Sequence, residues 1–67
     1  MKEFAERLKE LRTDKGLSQR ELAKLLNLNH TVITRWENGT NIPNAKSVVI
    51  LAKFCGVSTD YLLGVTD

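Results

Sequence analysis

Between Ser18 and Gly39 the chain reads SQRELAKLLNLNHTVITRWENG, and few folds accommodate such a stretch. Ser18 followed by Glu21 is a capping-box start. Leu22, Leu25 and Leu26 then form a buried stripe, and Ala23 sits where a neighbouring helix can come very close, because it adds only a methyl group. The pattern stops at Asn27, a residue type that tolerates the left-handed backbone of a sharp turn. Leu28 is expected to plug the turn into the core, and Asn29 to cap a second helix. At about 100° per residue, Val32, Ile33 and Trp36 share one side of that helix. His30, Thr31, Thr34 and Arg35 fall almost directly opposite. Asn38-Gly39 ends it with a standard C-terminal signal.

The rest of the chain supplies three more helices. The first runs roughly from Lys2 to Asp14, with Phe4, Leu8 and Leu11 as its stripe and Lys15-Gly16 as its end. The fourth begins near Asn44, after Pro43, and ends at Gly56. Val48, Leu51, Ala52 and Cys55 are spaced i, i+3, i+4, i+7 along it, and Ile50 and Phe54 widen that face. It is therefore expected to be the central, most buried helix. Ser58 caps a short fifth helix containing Tyr61, Leu62 and Leu63, stopped by Gly64. The expected fold class is all-α, a compact five-helix bundle in a single domain over residues 1–67.

Sixty-seven residues suffice for one small core, so tight helix packing or self-association would help. The net charge of +2 alone would not signal nucleic acid. Its distribution says more: residues 1–37 carry eight basic and six acidic side chains, residues 38–67 two of each. The excess positive charge thus lies in the half holding the 18–39 motif, as a phosphate-facing patch requires. The amphipathic, acid-containing start MKEFAERLKE is unlike a signal peptide, and no apolar run approaches the roughly 20 residues that span a bilayer. A single cysteine, Cys55, cannot form an internal disulfide, so a reducing cytoplasm is the expected location. On the apolar stripe of the fourth helix, Cys55 reads as a small buried hydrophobe.

Two helices around a tight turn, the second polar outside, form a helix-turn-helix unit, which pushes one helix into a DNA major groove. Side chains of intermediate length with no carboxylate among them suit base edges and phosphates. Trp36, opposite that face, belongs to the core. His30 has no second histidine and no nearby cysteine with which to hold a metal. No nucleophile–base pair and no glycine-rich phosphate loop points to an enzyme, and no cofactor or small-molecule pocket is expected.

With LSQRELAKLL, TVITRWENG, Pro43 six residues after Glu37 and GVSTDYLLG, the chain resembles the helix-turn-helix family of lambdoid phage repressors and Cro proteins. This is also called the xenobiotic-response-element family of bacterial regulators. The resemblance covers about Phe4 to Gly64 and implies a lambda-repressor-like domain, with helices 2 and 3 as the helix-turn-helix. It implies sequence-specific binding of double-stranded DNA, usually as a two-fold dimer on a palindromic operator. By position, Gln19 matches the residue that braces the recognition helix and touches phosphate or a base. His30, Thr31, Thr34 and Arg35 match base-reading positions. Arg can bond guanine O6 and N7 bidentately, and a Thr methyl can pack on a thymine methyl. Ser18, Asn29, Asn38, Thr40 and Asn41 match phosphate-gripping positions, with Arg20 and Lys15 as weaker candidates. Two departures stand out. Asn27 replaces the usual glycine of the turn, and the uncharged loop TNIPN replaces a basic one, which predicts a shallow salt dependence.

Arg12 lies on the stripe of Phe4 and Leu8, where a charge should not stand alone, and Glu37 lies beside Ile33 on its helical wheel. A partly buried Arg12–Glu37 ion pair is expected, and the family resemblance supports it. The C-terminal DYLLGVTD and Val49 offer apolar side chains beyond what a five-helix core needs. A homodimer through Tyr61, Leu62, Leu63 and Val65 follows as the expectation. The leading function is a transcriptional regulator, a repressor occupying an operator. The alternative is a DNA-binding antitoxin or adaptor acting mainly through a partner protein.

Overall fold

Four of the five helices open on a short polar residue in extended backbone whose side-chain oxygen accepts an N–H of the first turn. Ser18 accepts from Glu21, Asn29 from Thr31, Asn44 from Ser47 and Ser58 from Tyr61. Each such cap stabilises its helix by about 1 kcal/mol. The computed structural model describes residues 2–66. Met1 and Asp67, the ends of the expected 1–67 domain and in Asp67's case of the DYLLGVTD segment, lie outside the described residues. The helices are α1 (Lys2–Asp14), α2 (Gln19–Leu25), α3 (His30–Glu37), α4 (Ala45–Cys55) and α5 (Thr59–Leu63).

At five to thirteen residues, these helices are too short to persist alone in water, so the core must hold them. Phe4, Leu8, Leu22, Ile33, Leu51 and Leu62 are the largest fully buried side chains, with at least one from every helix. Burying each contributes about 1.5–3 kcal/mol. Phe4 meets Trp36 edge to face, centroids 6.2 Å apart and planes at 79°. Helix α1 packs on α3 and α5, α2 on α3, and α4 on α5. Ala23 is buried, consistent with a close approach at that point.

The α2–α3 turn is built as the residue types suggested. Asn27 has φ +58°. Around it Leu28 N–H donates to the Ala23 carbonyl (2.8 Å) and Asn27 N–H to the Lys24 carbonyl (3.2 Å), a Schellman closure with asparagine in glycine's usual place.

Five burial expectations need correction. Leu25 is 60% exposed, because a seven-residue helix gripped by α3 has no neighbour left for that side. Leu28 is 38% exposed and does not plug the core; it lines an open cleft of about 540 Å³ with Val32, Trp36, Ile42 and Pro43. Helix α4 is not the enclosed centre, since Val49 and Ile50 are exposed while Val48, Leu51 and Ala52 face inward. Cys55 is only half-buried. Leu62, expected at a subunit surface, is wholly buried in this chain's own core, because α5 folds that side chain back toward α1. No helix of the described residues is long and apolar enough to cross a membrane.

Candidate nucleic-acid interface

Helix α3 is held from behind by apolar packing and from the side by a polar chain. Ile33 and Trp36 are buried, and Val32 packs against the same core. Thr31 and Arg35 point to solvent, while His30 and Thr34 are half-buried at the edges of the outer face. Around this helix the exposed Ser18, Arg20, Asn29, Asn38, Thr40 and Asn41 form a polar rim.

The polar chain starts at Arg12. Its Nε donates to Glu37 Oε2 (2.6 Å) and its Nη2 to Glu37 Oε1 (2.9 Å), a bidentate pair tying α1 to the end of α3. Arg12 Nη1 donates to the Leu17 carbonyl at 2.7 Å. The two side chains are 10% and 4% exposed. The hydrogen bond to Glu37 raises the Arg12 pKa despite the opposing pull of burial. Glu37 Oε1 also accepts from Gln19 Nε2 (3.0 Å), and Gln19 Oε1 accepts from Thr34 Oγ1 (2.6 Å). Gln19, at the first position of α2, therefore braces two points of α3 at once.

The other candidates are tied locally. Asn29 Oδ1 accepts from both the N–H (3.0 Å) and the hydroxyl (2.8 Å) of Thr31, so the Asn29 carbonyl faces the helix and its amide NH2 faces away. Asn38 Oδ1 accepts from Thr40 N–H (2.9 Å), and Asn41 N–H donates to the Arg35 carbonyl (3.2 Å), folding the loop back over the end of α3. Ser18 N–H donates to Glu21 Oε1 (2.8 Å), completing the capping box. That backbone hydrogen bond, followed by the one from the Ser18 hydroxyl, lowers the Glu21 pKa. Lys15 stands over the Phe54 ring, 5.4 Å from its centroid, beside α4.

Two arrangements were not visible in the sequence. One is the Gln19–Glu37 link, which exists only because α2 and α3 cross where they do. The other is Arg7, whose Nη1 donates to the carbonyls of Tyr61 and Thr66 (2.6 Å for the latter) while its guanidinium lies 4.2 Å from the Tyr61 ring centroid. Its only sequence signal is a cation flanking the Phe4–Leu8 stripe. Burial pushes the Cys55 thiol pKa up, with Lys15 partly offsetting it, so the thiol is held protonated at neutral pH.

Comparison with known proteins places this geometry in context. A helix-turn-helix family model matches residues 8–62. The chain is 44% identical over 61 residues to the HTH-type transcriptional activator BcrR of Enterococcus faecalis, across 91% of this chain and 30% of that protein. It is 42% identical over 60 residues to the SPbeta prophage-derived HTH-type transcriptional regulator YonR of Bacillus subtilis, across 90% of this chain and 56% of YonR. Over 61 residues it is 37% identical to the HTH-type transcriptional regulator ImmR of the same organism, across 91% of this chain and 48% of ImmR. The chain thus spans little more than half of YonR and less than half of the other two.

Proposed function

The chain belongs to the helix-turn-helix family, with an all-helical, lambda-repressor-like fold, and from that premise we propose that it is the DNA-binding domain of a transcriptional regulator. The observation that carries the reading is the carboxylate-free outer face of α3, braced by the chain from Arg12 to Thr34. Helix α3 enters the major groove of duplex DNA. His30, Thr31, Thr34 and Arg35 meet base edges, with Arg35 suited to guanine. Gln19 lies at the groove's margin. Ser18, Arg20, Asn29, Asn38, Thr40 and Asn41 grip phosphates through short side chains and backbone N–H groups.

Two protomers bind a palindromic operator with their recognition helices about 34 Å apart, one DNA turn. The pairing surface lies toward the C-terminal part, where Val49 and Val65 are exposed and Tyr61 and Leu63 are half-buried; Leu62 is excluded from it. Occupancy of an operator overlapping a promoter represses. The similarity to BcrR, a transcriptional activator, favours a second reading, in which the same occupancy beside a promoter activates. A promoter–reporter pair with the site placed within or upstream of the promoter separates the two.

The reading is tested by selecting bound duplexes from a randomised pool at fixed, near-physiological salt. A two-fold symmetric motif with half-sites about 10 base pairs apart is expected. Recovery of nothing above background refutes the DNA reading and favours an adaptor acting through a partner protein. On the selected site, log K against log salt should be shallow, with a slope of about −1 to −2 per protomer at about −0.9 per neutralised phosphate. That estimate counts Arg20, with Lys15 at most, because Arg35 is committed to a base edge and the loop 40–44 carries no charge.

A further inference from the structure

Glu37 lies on the inner side of α3, paired with Arg12 and 4% exposed, so it cannot itself meet DNA. Its carboxylate nevertheless decides which way the Gln19 amide faces. A carboxylate only accepts hydrogen bonds, so the Gln19 group 3.0 Å from Glu37 Oε1 has to be the NH2. The carbonyl end, Gln19 Oε1, is thereby turned to Thr34 Oγ1 at 2.6 Å. Two oxygens that close need a proton between them, and an amide carbonyl has none to give. The Thr34 hydroxyl proton is therefore the one in that bond. The same oxygen stands 3.2 Å from the His30 carbonyl, another group that can only accept.

We propose that Glu37 is a specificity-positioning residue: by orienting Gln19 it commits the Thr34 hydroxyl proton inward, so that Thr34 offers DNA only oxygen lone pairs and a methyl group. The proposal rests on the DNA-binding reading above for its consequence, though not for its chemistry. In the major groove, adenine N6 and cytosine N4 present donors, whereas the guanine N7/O6 edge presents acceptors only. The base that Thr34 meets is therefore adenine or cytosine through the lone pair, or thymine through the methyl. Guanine is rejected, because two acceptors face each other. Arg12 serves the same end one step back, by holding the carboxylate bidentately in place. In Glu37→Gln, residue 37 can offer either a donor or an acceptor. The Gln19 amide can then turn over and donate to Thr34 Oγ1, leaving the hydroxyl proton to divide between the His30 carbonyl and a base acceptor. Discrimination against guanine at that one base pair should fall by up to about fivefold, the weight of a single hydrogen bond. The positions read by Arg35 should keep their preferences.

The test has two arms. In the free protein, nuclear magnetic resonance of the side-chain amide of Gln19 and the hydroxyl of Thr34 reads the lock without DNA. Wild-type protein should show an inequivalent, downfield-shifted Gln19 amide pair and a Thr34 hydroxyl proton protected from solvent exchange. Ordinary free-amide shifts and no observable hydroxyl proton in wild type overturn the proposal, whatever the variants do. In the DNA arm, selected sites are compared for wild type, E37Q, T34V and E37Q/T34V, below each variant's melting temperature. The expected result is a relaxed preference at one position in E37Q and no further effect of E37Q once T34V has removed the hydroxyl. An E37Q profile identical to wild type, or an equal E37Q effect in the T34V background, overturns it. A wild-type pool without any motif refutes the DNA reading and with it the specificity consequence, while the free-protein spectra still judge the lock.

Discussion

Replacing Arg12 by methionine keeps most of the side-chain volume and removes the charge, which isolates what the pair with Glu37 contributes. The Glu37 carboxylate, 4% exposed, would retain the Gln19 Nε2 donor, and the Leu17 carbonyl would lose its 2.7 Å partner. Removing one partner of a buried pair costs about 3–5 kcal/mol, because the other charge is stranded away from water. A 67-residue domain has about 3–10 kcal/mol in total at ~0.05–0.15 kcal/mol per residue. R12M should therefore lower Tm by at least about 12 °C, taking ~4–8 °C per kcal/mol. Glu37→Met, which strands the guanidinium instead, should cost a similar amount. The double variant strands nothing and should lie within about 1–2 kcal/mol of wild type. Urea unfolding followed by far-UV circular dichroism, across all four proteins, gives the cycle. The Arg12 pKa is raised in the folded state, so its contribution is fully present below the unfolded value and lost only as pH rises through the folded one. Arginine titrates far above working pH, so the R12M deficit should be constant from neutral to mildly alkaline solution. Single-variant costs under about 1 kcal/mol, the range of exposed pairs, or costs that simply add in the double variant, would refute the reasoning.

Other outcomes follow from single residues. Leu22 and Leu25 sit on the same helix at 1% and 60% exposure, so Leu22→Ala should cost about 2–5 kcal/mol and Leu25→Ala under about 1 kcal/mol in the same denaturation assay. Glu21 has its folded pKa lowered below the ordinary 4.5 by Ser18, so its contribution is present above that value and fades as pH falls through the folded one. Acid titration of Tm should show Glu21→Gln losing part of the fall that wild type shows below about pH 4.5; identical acid limbs would contradict the capping box. Gly56 and Gly64 both have positive φ, +71° and +81°, but a Cβ at 56 meets open space while one at 64 collides with the Glu3 side chain. Gly56→Ala should cost about 1–2 kcal/mol and Gly64→Ala measurably more by differential scanning calorimetry.

The helix boundaries were legible because they are written in local chemistry. Ser18, Asn29, Asn44 and Ser58 cap, and Asn27 and Gly64 take positive φ, whatever the rest of the chain does. Trp36 was legible as core because α3 has a single apolar side, and Arg12 as paired because a charge on an apolar stripe needs a partner. What failed was the choice among equivalent leucines. A helical wheel places Leu22, Leu25 and Leu26 together, but only the position of α1 and α3 decides which of them is covered. The burial of Leu62 is hidden for the same reason: α5 is five residues long, too short for a pattern to say which of its apolar side chains turns inward. On the interface, the outer face of α3 could be named from spacing, but not that Gln19 and Thr34 are bonded to each other. That bond depends on a crossing of two helices, which no periodicity encodes.

The grip of Arg7 on the carbonyls of Tyr61 and Thr66 joins residues more than fifty positions apart. The core repeats that closure, since Leu62 lies in the same cluster as Phe4 and Leu8. A five-residue helix has no autonomous existence, so α5 forms only when α1 is already in place to receive it. Joining the head of the chain to its tail closes its longest loop, the contact with the largest loop entropy. Once made, that closure leaves α5 no cheap way to fray on its own. Its amides should exchange with solvent no faster than those at the centre of the core, and the protein should unfold as one indivisible unit.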